Sequence, residues 1–230
     1  MSTAATAATR ATRSERSADD RETRDRLLKA AQHLFADRGF KDVTVREICH
    51  AARANVAAVN YHFGDKLGLY REVLSHAIDA MREATETARR LGEGKSPDEQ
   101  LRVYISVFLH RVLAPDADTI HRLVHREAHE PTPALDDIVE QGVRPRIEFL
   151  SRIVADIIGC EPTDPRVFRC VGSLQSQSIM YARFNPIAER LGFRFGRTPA
   201  EIDEAADHIA TFSLAGIRAI GRSRSPRQPV

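Results

Sequence analysis

"TVREICHAARANVAAVNYHFGDK", residues 44–66, decides the fold. Thr44, followed three residues later by Glu47, has the pattern of a capping box, in which a hydroxyl and a carboxylate satisfy free N–H groups at a helix start. Behind it Val45, Ile48, Cys49 and Ala52 recur at helical spacing and form an inner face. Asn55 is a second cap, opening a short helix whose inner face is Val56, Val59 and Phe63. Two short helices joined by a turn of about three residues make a helix-turn-helix, whose second helix enters a DNA major groove. The outer side suits that use. Ala57 and Ala58 lack bulk, so the backbone can approach base edges, while Tyr61 and His62 project towards phosphates. Lys66 adds an ammonium in the first turn of the next helix, where free N–H groups already favour an anion. An ordinary three-helix packing unit with one wet face shares this spacing.

Working outward, Leu27, Ala31, Leu34 and Phe35 share one stripe of a helix over 20–38 that Gly39 stops. Downstream, a helix starting at Asp65 runs through Leu69, Val73, Leu74 and Ile78 to about Leu91. "GEGKSP", residues 92–97, is a linker. Beyond it the spacing predicts helices over 97–114, 116–130, 132–159, 164–184 and 199–221, with Pro115, Pro131, Pro133, Gly159, Pro162, Pro165, Pro186 and Pro199 at the breaks. No run has a period of two, so the chain is expected to be all-α. Residues 1–18 lack large apolar side chains and read as a disordered basic arm. Its Arg10, Arg13 and Arg16 are either a solubilising tail or a reach towards phosphates or a minor groove. Residues 222–230 read as a disordered tail.

The 230 residues suffice for a proper core, and 42% hydrophobic with 29% charged is the balance of a soluble globular protein. A net charge of +2 names no partner, but residues 1–70 carry +3 and the remainder about −1, a bias in the direction of nucleic acid. Cys49, Cys160 and Cys170 lack metal-ligand spacing and are expected to be buried thiols in a reducing compartment. No run approaches the ~18 apolar residues of a membrane span, and the N-terminus has no apolar signal stretch. A cytoplasmic protein without membrane contact is expected.

Three segments carry a family resemblance: "LLKAAQHLFADRGF" (27–40), "VTVREICHAA" (43–52) and "YHFGDKLGLY" (61–70). Residues 24–70 resemble the DNA-binding region of the tetracycline-repressor (TetR) family of bacterial transcription regulators. Residues 123–150, "LVHREAHEPTPALDDIVEQGVRPRIEFL", resemble one branch of that family with its own C-terminal domain type. The resemblance implies a three-helix DNA-binding domain over 19–66 and a helical ligand-binding and dimerisation domain over 67–221. Thr44, Tyr61, His62 and Lys66 match its phosphate-contacting positions, and Val56, Ala57 and Asn60 match positions near base edges. Arg46, Arg53 and Asn55 complete the candidate DNA-binding set. Three positions depart from the family pattern: Arg53 stands where the turn usually has glycine, Asn55 replaces a serine cap, and Asn60 replaces a common tyrosine.

The last two helices are rich in small residues, among them Gly172, Ser173, Ser176, Ala205, Ala206 and Ala210. Two-fold pairing would bury them as a four-helix bundle, an arrangement the resemblance favours over an intramolecular core. Phe168, Ser178, Ile209 and Phe212 are the candidate interface residues. An effector chamber is expected among the helices of 97–184, with Tyr104 and Phe108 on an apolar wall. Glu127 and Arg146 fall on the core-facing side of their helices, and burying either charge unpaired is costly. They are either a structural ion pair or the polar anchor for an effector. Gly142 and Pro145 are expected to kink their helix. The row His121, His125 and His129 has the spacing of a metal site but drifts off the core face towards solvent. "DDIVE" (136–140) is a single acidic motif, and no nucleophile–base pair or phosphate-cradling glycine loop is present.

These features predict a homodimeric one-component repressor. Its partners would be double-stranded DNA, a second copy and a small-molecule effector, with no cofactor, metal or catalysis. An activator of the same fold, and a small-molecule carrier or enzyme with an inert helix-turn-helix, are the alternatives.

Overall fold

Gly39 ends the first helix because it takes φ 83° and ψ 171°, a backbone conformation closed to most side chains. That helix, α1 (Thr3–Asp42), is drawn as continuous only across this break. The structure, a computed structural model, describes residues 3–114, 117–182, 190–192 and 198–222. After α1 come α2 (Val45–Ala52), α3 (Val56–Phe63), α4 (Lys66–Gly92), α5 (Pro97–Val112) and α6 (Ala117–His129). Then follow α7 (Leu135–Ile138), a π-helical turn (Val139–Val143), α8 (Arg144–Ile158), α9 (Pro165–Ala182) and α10 (Pro199–Arg222). No strand occurs among the described residues, and no helix among them is long and apolar enough to cross a membrane.

Two expectations change at the start of the chain. α1 begins at Thr3, within the segment expected to be a disordered arm. Alanine is the strongest helix former, and a lack of large apolar residues limits packing, not helicity. The tail expected over 222–230 lies outside the described residues after Arg222, which closes α10.

The chain divides into two compact units, Met1–Ala77 with Thr119–Asp136, and Ile78–Asp118 with Asp137–Val230. The sequence places the domain boundary at residues 66 and 67 and its best internal break at the linker 92–97. The division falls between the two, after Ala77, and most of α6 joins the first unit, because of what α6 binds there. Arg126 donates from Nε to the carbonyl of Ala36 (2.9 Å) and from Nη2 to that of Asp37, while Arg122 pairs with the Asp37 carboxylate. The Arg126 guanidinium satisfies carbonyls that the end of α1 leaves free, and Arg122 adds an ion pair beside it.

In the first unit Leu27, Ala31, Phe35, Ile48, Val59, Leu69 and Leu123 are buried. The rings of Phe35, Phe40 and Tyr70 lie 4.9 to 6.0 Å apart. The Tyr70 hydroxyl then donates to buried Glu127 at 2.7 Å. The other Glu127 oxygen accepts from the Thr132 backbone N–H (2.6 Å) and hydroxyl (2.8 Å). Thus the acid on the core-facing side of α6 has both oxygens occupied by a phenol and a loop threonine. Burial, and then this hydrogen bond, push the Tyr70 phenol well above its ordinary value.

In the second unit Leu101, Ile105, Leu109, Leu150, Ile153, Leu174, Ile209 and Leu214 form the core. Ser96 and Glu99 make a capping box at α5, with Pro97 in its first turn, and Thr198 with Glu201 repeats the pattern at α10. The expected kink at Gly142 and Pro145 is a π-helical turn ending at Val143. A Cβ on Gly142 would stand 3.0 Å from the Met81 sulfur, so glycine lets α4 pass close by. Cys49 and Cys170 are buried as expected, and Cys160 is partly exposed.

The Glu127 network predicts an unusual substitution series. Glu127→Gln keeps one oxygen for Thr132, and its amide can donate to the Tyr70 oxygen, so urea unfolding should place it within about 1 kcal/mol of the wild type. Glu127→Ala strands the phenol and the Thr132 N–H and should cost roughly 2–5 kcal/mol. A glutamine variant as unstable as the alanine variant would show that the charge itself matters.

Candidate DNA-binding site

Thr44 adopts an extended conformation (φ −102°, ψ 153°) and caps α2, its hydroxyl accepting from the Glu47 N–H at 3.3 Å. The Glu47 carboxylate accepts in return from the Thr44 N–H at 2.8 Å and pairs with Arg38 at 2.7 Å. Hydrogen bonds from Thr44 and Arg38 hold its carboxyl down at about 2. Glu47 is therefore fully ionised at neutral pH yet neutralised locally, and adds little repulsion to an approaching polyanion.

Arg53 follows α2 in the left-handed region, φ 51° and ψ 45°, the one non-glycine with positive φ among the described residues. The family-pattern glycine would sit here without strain, whereas arginine gives up about 1–2 kcal/mol. The turn still closes: the N–H groups of Arg53 and Ala54 reach the carbonyls of His50 (3.2 Å) and Cys49 (2.9 Å). Arg26 braces it by donating to the Ala52 carbonyl at 3.2 Å. Asn55 then caps α3, its Oδ1 accepting from the Ala57 N–H at 2.9 Å, so asparagine does the work of the usual serine.

α3 buries Val59 and leaves its other side to solvent. Val56, expected on the inner face, is 43% exposed, because it stands at the first position of the helix, one turn ahead of the packed segment. That exposure leaves it available for its other expected place, near base edges. Thr44, Arg46, Arg53, Asn55, Ala57, Asn60 and Tyr61 are exposed as well, Tyr61 at 75%. His62 is partly buried, with the Tyr61 ring edge-on at 4.8 Å. Lys66 opens α4 and holds its ammonium 4.3 Å from the centroid of Phe40. Burial lowers its pKa, and the charges of Asp42 and Glu47 oppose that shift. All ten candidate DNA-binding residues therefore fall within α2, α3, their caps and the start of α4. Sequence reading missed a basic groove beside them, lined by Arg26, Lys29, His33 and Arg53, with Ala30, Leu34, Ala51 and Ala52. Arg26 and Lys29 lie on α1 beside its apolar stripe, where nothing local marks a groove.

The remaining candidates are divided between the units. Tyr104, Phe108 and Arg146 fall in the second, whereas Glu127 belongs to the first with its partners Tyr70 and Thr132. Ser178 and Ile209, expected at a dimer interface, are each 1% exposed within a single chain and are core residues. The Ser178 hydroxyl bonds the Leu174 carbonyl at 3.0 Å. Small polar residues on an apolar helix fit either face, and here the chain's own core claims Ser178. Phe168 and Phe212 are 75% and 64% exposed. The His125 and His129 rings stack at 4.1 Å, and no group of three potential metal ligands occurs among the described residues.

Residues 27–73 match the family described as bacterial regulatory proteins of the tetR family, and residues 97–217 match the C-terminal domain of the HTH-type transcriptional dual regulator CecR. The CecR regulator of Shigella flexneri is 29% identical over 186 residues, covering 76% of this chain and 77% of that protein. The repressor NicS of Pseudomonas putida is 31% identical over 133 residues, covering 55% of this chain and 62% of that protein. Many solved structures share the fold, among them the following two. AibR, solved with isovaleryl coenzyme A and operator DNA, superposes with a TM-score of 0.61 at 20% identity, covering 83% of this chain and 97% of that one. The ketosteroid regulator KstR2 of Mycobacterium tuberculosis gives 0.59 at 18% identity, covering 84% and 93%. This chain belongs to the tetracycline-repressor family of bacterial transcription regulators, in the branch whose C-terminal domain is of the CecR type.

Proposed function

We propose that the protein is a ligand-responsive repressor that binds a palindromic operator as a homodimer. The observation that carries DNA binding is the exposed face of α2 and α3, with small residues where bases would lie and hydrogen-bonding groups around them. Arg46 and Arg53 stand on it without an ion-pair partner among the described residues, free to displace counterions from phosphates. The dipole at the start of α3 adds to that potential. Ala57 and Val56 admit the groove floor, and Asn60 can pair with a base edge in two hydrogen bonds.

Dimerisation is supported by an apolar surface in the second unit that a single chain leaves open. Phe168, Gly172 and Ile179 follow one stripe of α9, and Phe212, Gly216 and Ile220 follow one stripe of α10. A Cβ on Gly172 or Gly216 would meet nothing within 4 Å, so a partner backbone can come close at both. Two heads held one helical turn apart, about 34–36 Å, would read two half-sites. Effector binding in the second unit would shift the dimer towards a spacing that misses them.

Three substitutions separate these roles. Lys66→Ala should weaken binding to every sequence and flatten the salt dependence by about one unit, read by fluorescence anisotropy over a salt series. An unchanged slope would remove Lys66 from the interface. Arg53→Gly should move stability and affinity in opposite directions: unfolding gains roughly 0.5–1 kcal/mol as strain is relieved, while DNA affinity falls with the lost cation. Phe212→Asp should give monomers in sedimentation that bind a single half-site weakly. A variant that stays dimeric would place the interface elsewhere.

A further inference from the structure

Polar groups buried in a finished core are paired, because leaving one unmade costs more than the bond is worth. The second unit breaks this rule at two atoms, Arg146 Nε and Gln175 Oε1, both buried and without a hydrogen-bond partner. They belong to one cluster. Gln175 on α9 is 9% exposed and donates its amide N–H to the Tyr104 hydroxyl oxygen on α5 at 2.7 Å. The Tyr104 ring stacks on Phe108 with centroids 6.0 Å apart, and the Arg146 guanidinium from α8 sits 5.2 Å from the Phe108 centroid. Phe149 packs 6.3 Å from Tyr104 on another side. Arg146 as a whole is partly exposed, so the cluster lies at the edge of the core and is open to solvent there.

The charge balance of this cluster sets the ligand chemistry. Glu127, the acid expected to face Arg146, is engaged within the first unit by Tyr70 and Thr132. Among the described residues no carboxylate is paired with Arg146, so the cluster carries an uncompensated positive charge. A hydroxyl that accepts from Gln175 keeps its own proton to donate. The unused groups are then a guanidinium N–H, a phenol O–H and one amide oxygen.

We propose that this cluster binds an organic monocarboxylate with a flat or apolar body, the carboxylate taken by Arg146 and Tyr104, and a neutral donor on the ligand, such as a hydroxyl, meeting Gln175 Oε1. The inference rests on the ligand-responsive reading and narrows it to anions. Arg146 supplies charge and a fork suited to a carboxylate. Tyr104 and Phe108 supply a flat wall for the body. A neutral effector could satisfy the guanidinium N–H but would leave its charge uncompensated, and a cationic one would be repelled.

The test uses the full-length protein, its thermal midpoint and matched ionic strength. Benzoate and benzamide share a shape and differ in charge, while 3- and 4-hydroxybenzoate add a donor. Sodium benzoate at about ten times its Kd should raise the midpoint by roughly 3–6 °C, and benzamide at the same concentration should give a much smaller shift. Arg146→Met removes a buried unpaired donor, so the ligand-free variant should melt at or above the wild type and lose the benzoate response. The better hydroxybenzoate should bind about tenfold more tightly than benzoate, an advantage absent from Gln175→Leu. Four results overturn the proposal: benzamide matching benzoate, no response to either, a benzoate response surviving Arg146→Met, or an Arg146→Met protein that melts well below the wild type. Release of operator DNA, measured in parallel, tests the other reading. Charge-selective benzoate binding without release would uphold the site and defeat ligand-responsive repression.

Discussion

Every helix end leaves backbone groups without partners, and between Gly39 and Gly68 this chain must resolve that problem repeatedly in a short stretch. It does so with residues that act at one position each. Gly39 turns the chain out of α1, the Thr44–Glu47 box opens α2, Arg53 closes it, Asn55 opens α3 and Gly64 ends it. The Asp65 carboxylate then accepts from the Gly68 N–H at 2.7 Å to start α4. The orientation of α3, and hence the exposed face it offers, follows from these terminations more than from its burial, since Val59 is its one buried residue. A recognition helix that must lay its surface on DNA cannot also be anchored by a wide apolar face. Its ends take over the anchoring.

That division of labour explains what was legible from the residues alone. Caps act over three or four positions, so Thr44, Glu47, Asn55 and Gly39 declare themselves by type and spacing, and the helix boundaries around them fell within a few residues of the structure. The left-handed turn at Arg53 was legible as a departure, an arginine where glycine is the unstrained choice. Long-range partners were not. Glu127 was recognisable as an acid on a core-facing side, but its phenol comes from Tyr70, 57 positions away. Nothing local distinguishes Tyr70 from any other aromatic residue in a helical stripe. Arg146 was the attractive partner because charge suggested it, whereas the structure satisfies the carboxylate with neutral hydroxyl and N–H donors.

Helical phase fails in a different way in the last two helices. Both α9 and α10 carry apolar residues on more than one side, so periodicity identifies faces without saying which one the chain keeps for itself. Ser178 and Ile209 went inward, Phe168 and Phe212 stayed outside, and the four had looked equivalent. The distinction lies in which side α5 and α8 cover. Exposed phenylalanines one turn from bare glycines then become informative, since a monomer gains nothing by presenting them.

A chain whose local rules agree almost everywhere draws attention to where they do not. Arg53 accepts a backbone conformation that glycine would take freely. Phe168 and Phe212 face water, and Arg146 Nε and Gln175 Oε1 lie buried and unpaired. Each departure costs the isolated chain some stability, and in the proposed reading each serves a group outside the chain. On that reading phosphates would answer the exposed cation at Arg53, a second copy would cover the phenylalanines, and a carboxylate would complete the Arg146 cluster. Glu127 belongs to the opposite class. It is 1% exposed, but with both oxygens bonded it asks for nothing further. Burial alone is therefore no mark of a functional polar residue in this fold, and the proposed ligand site rests instead on buried atoms with a bond left unmade.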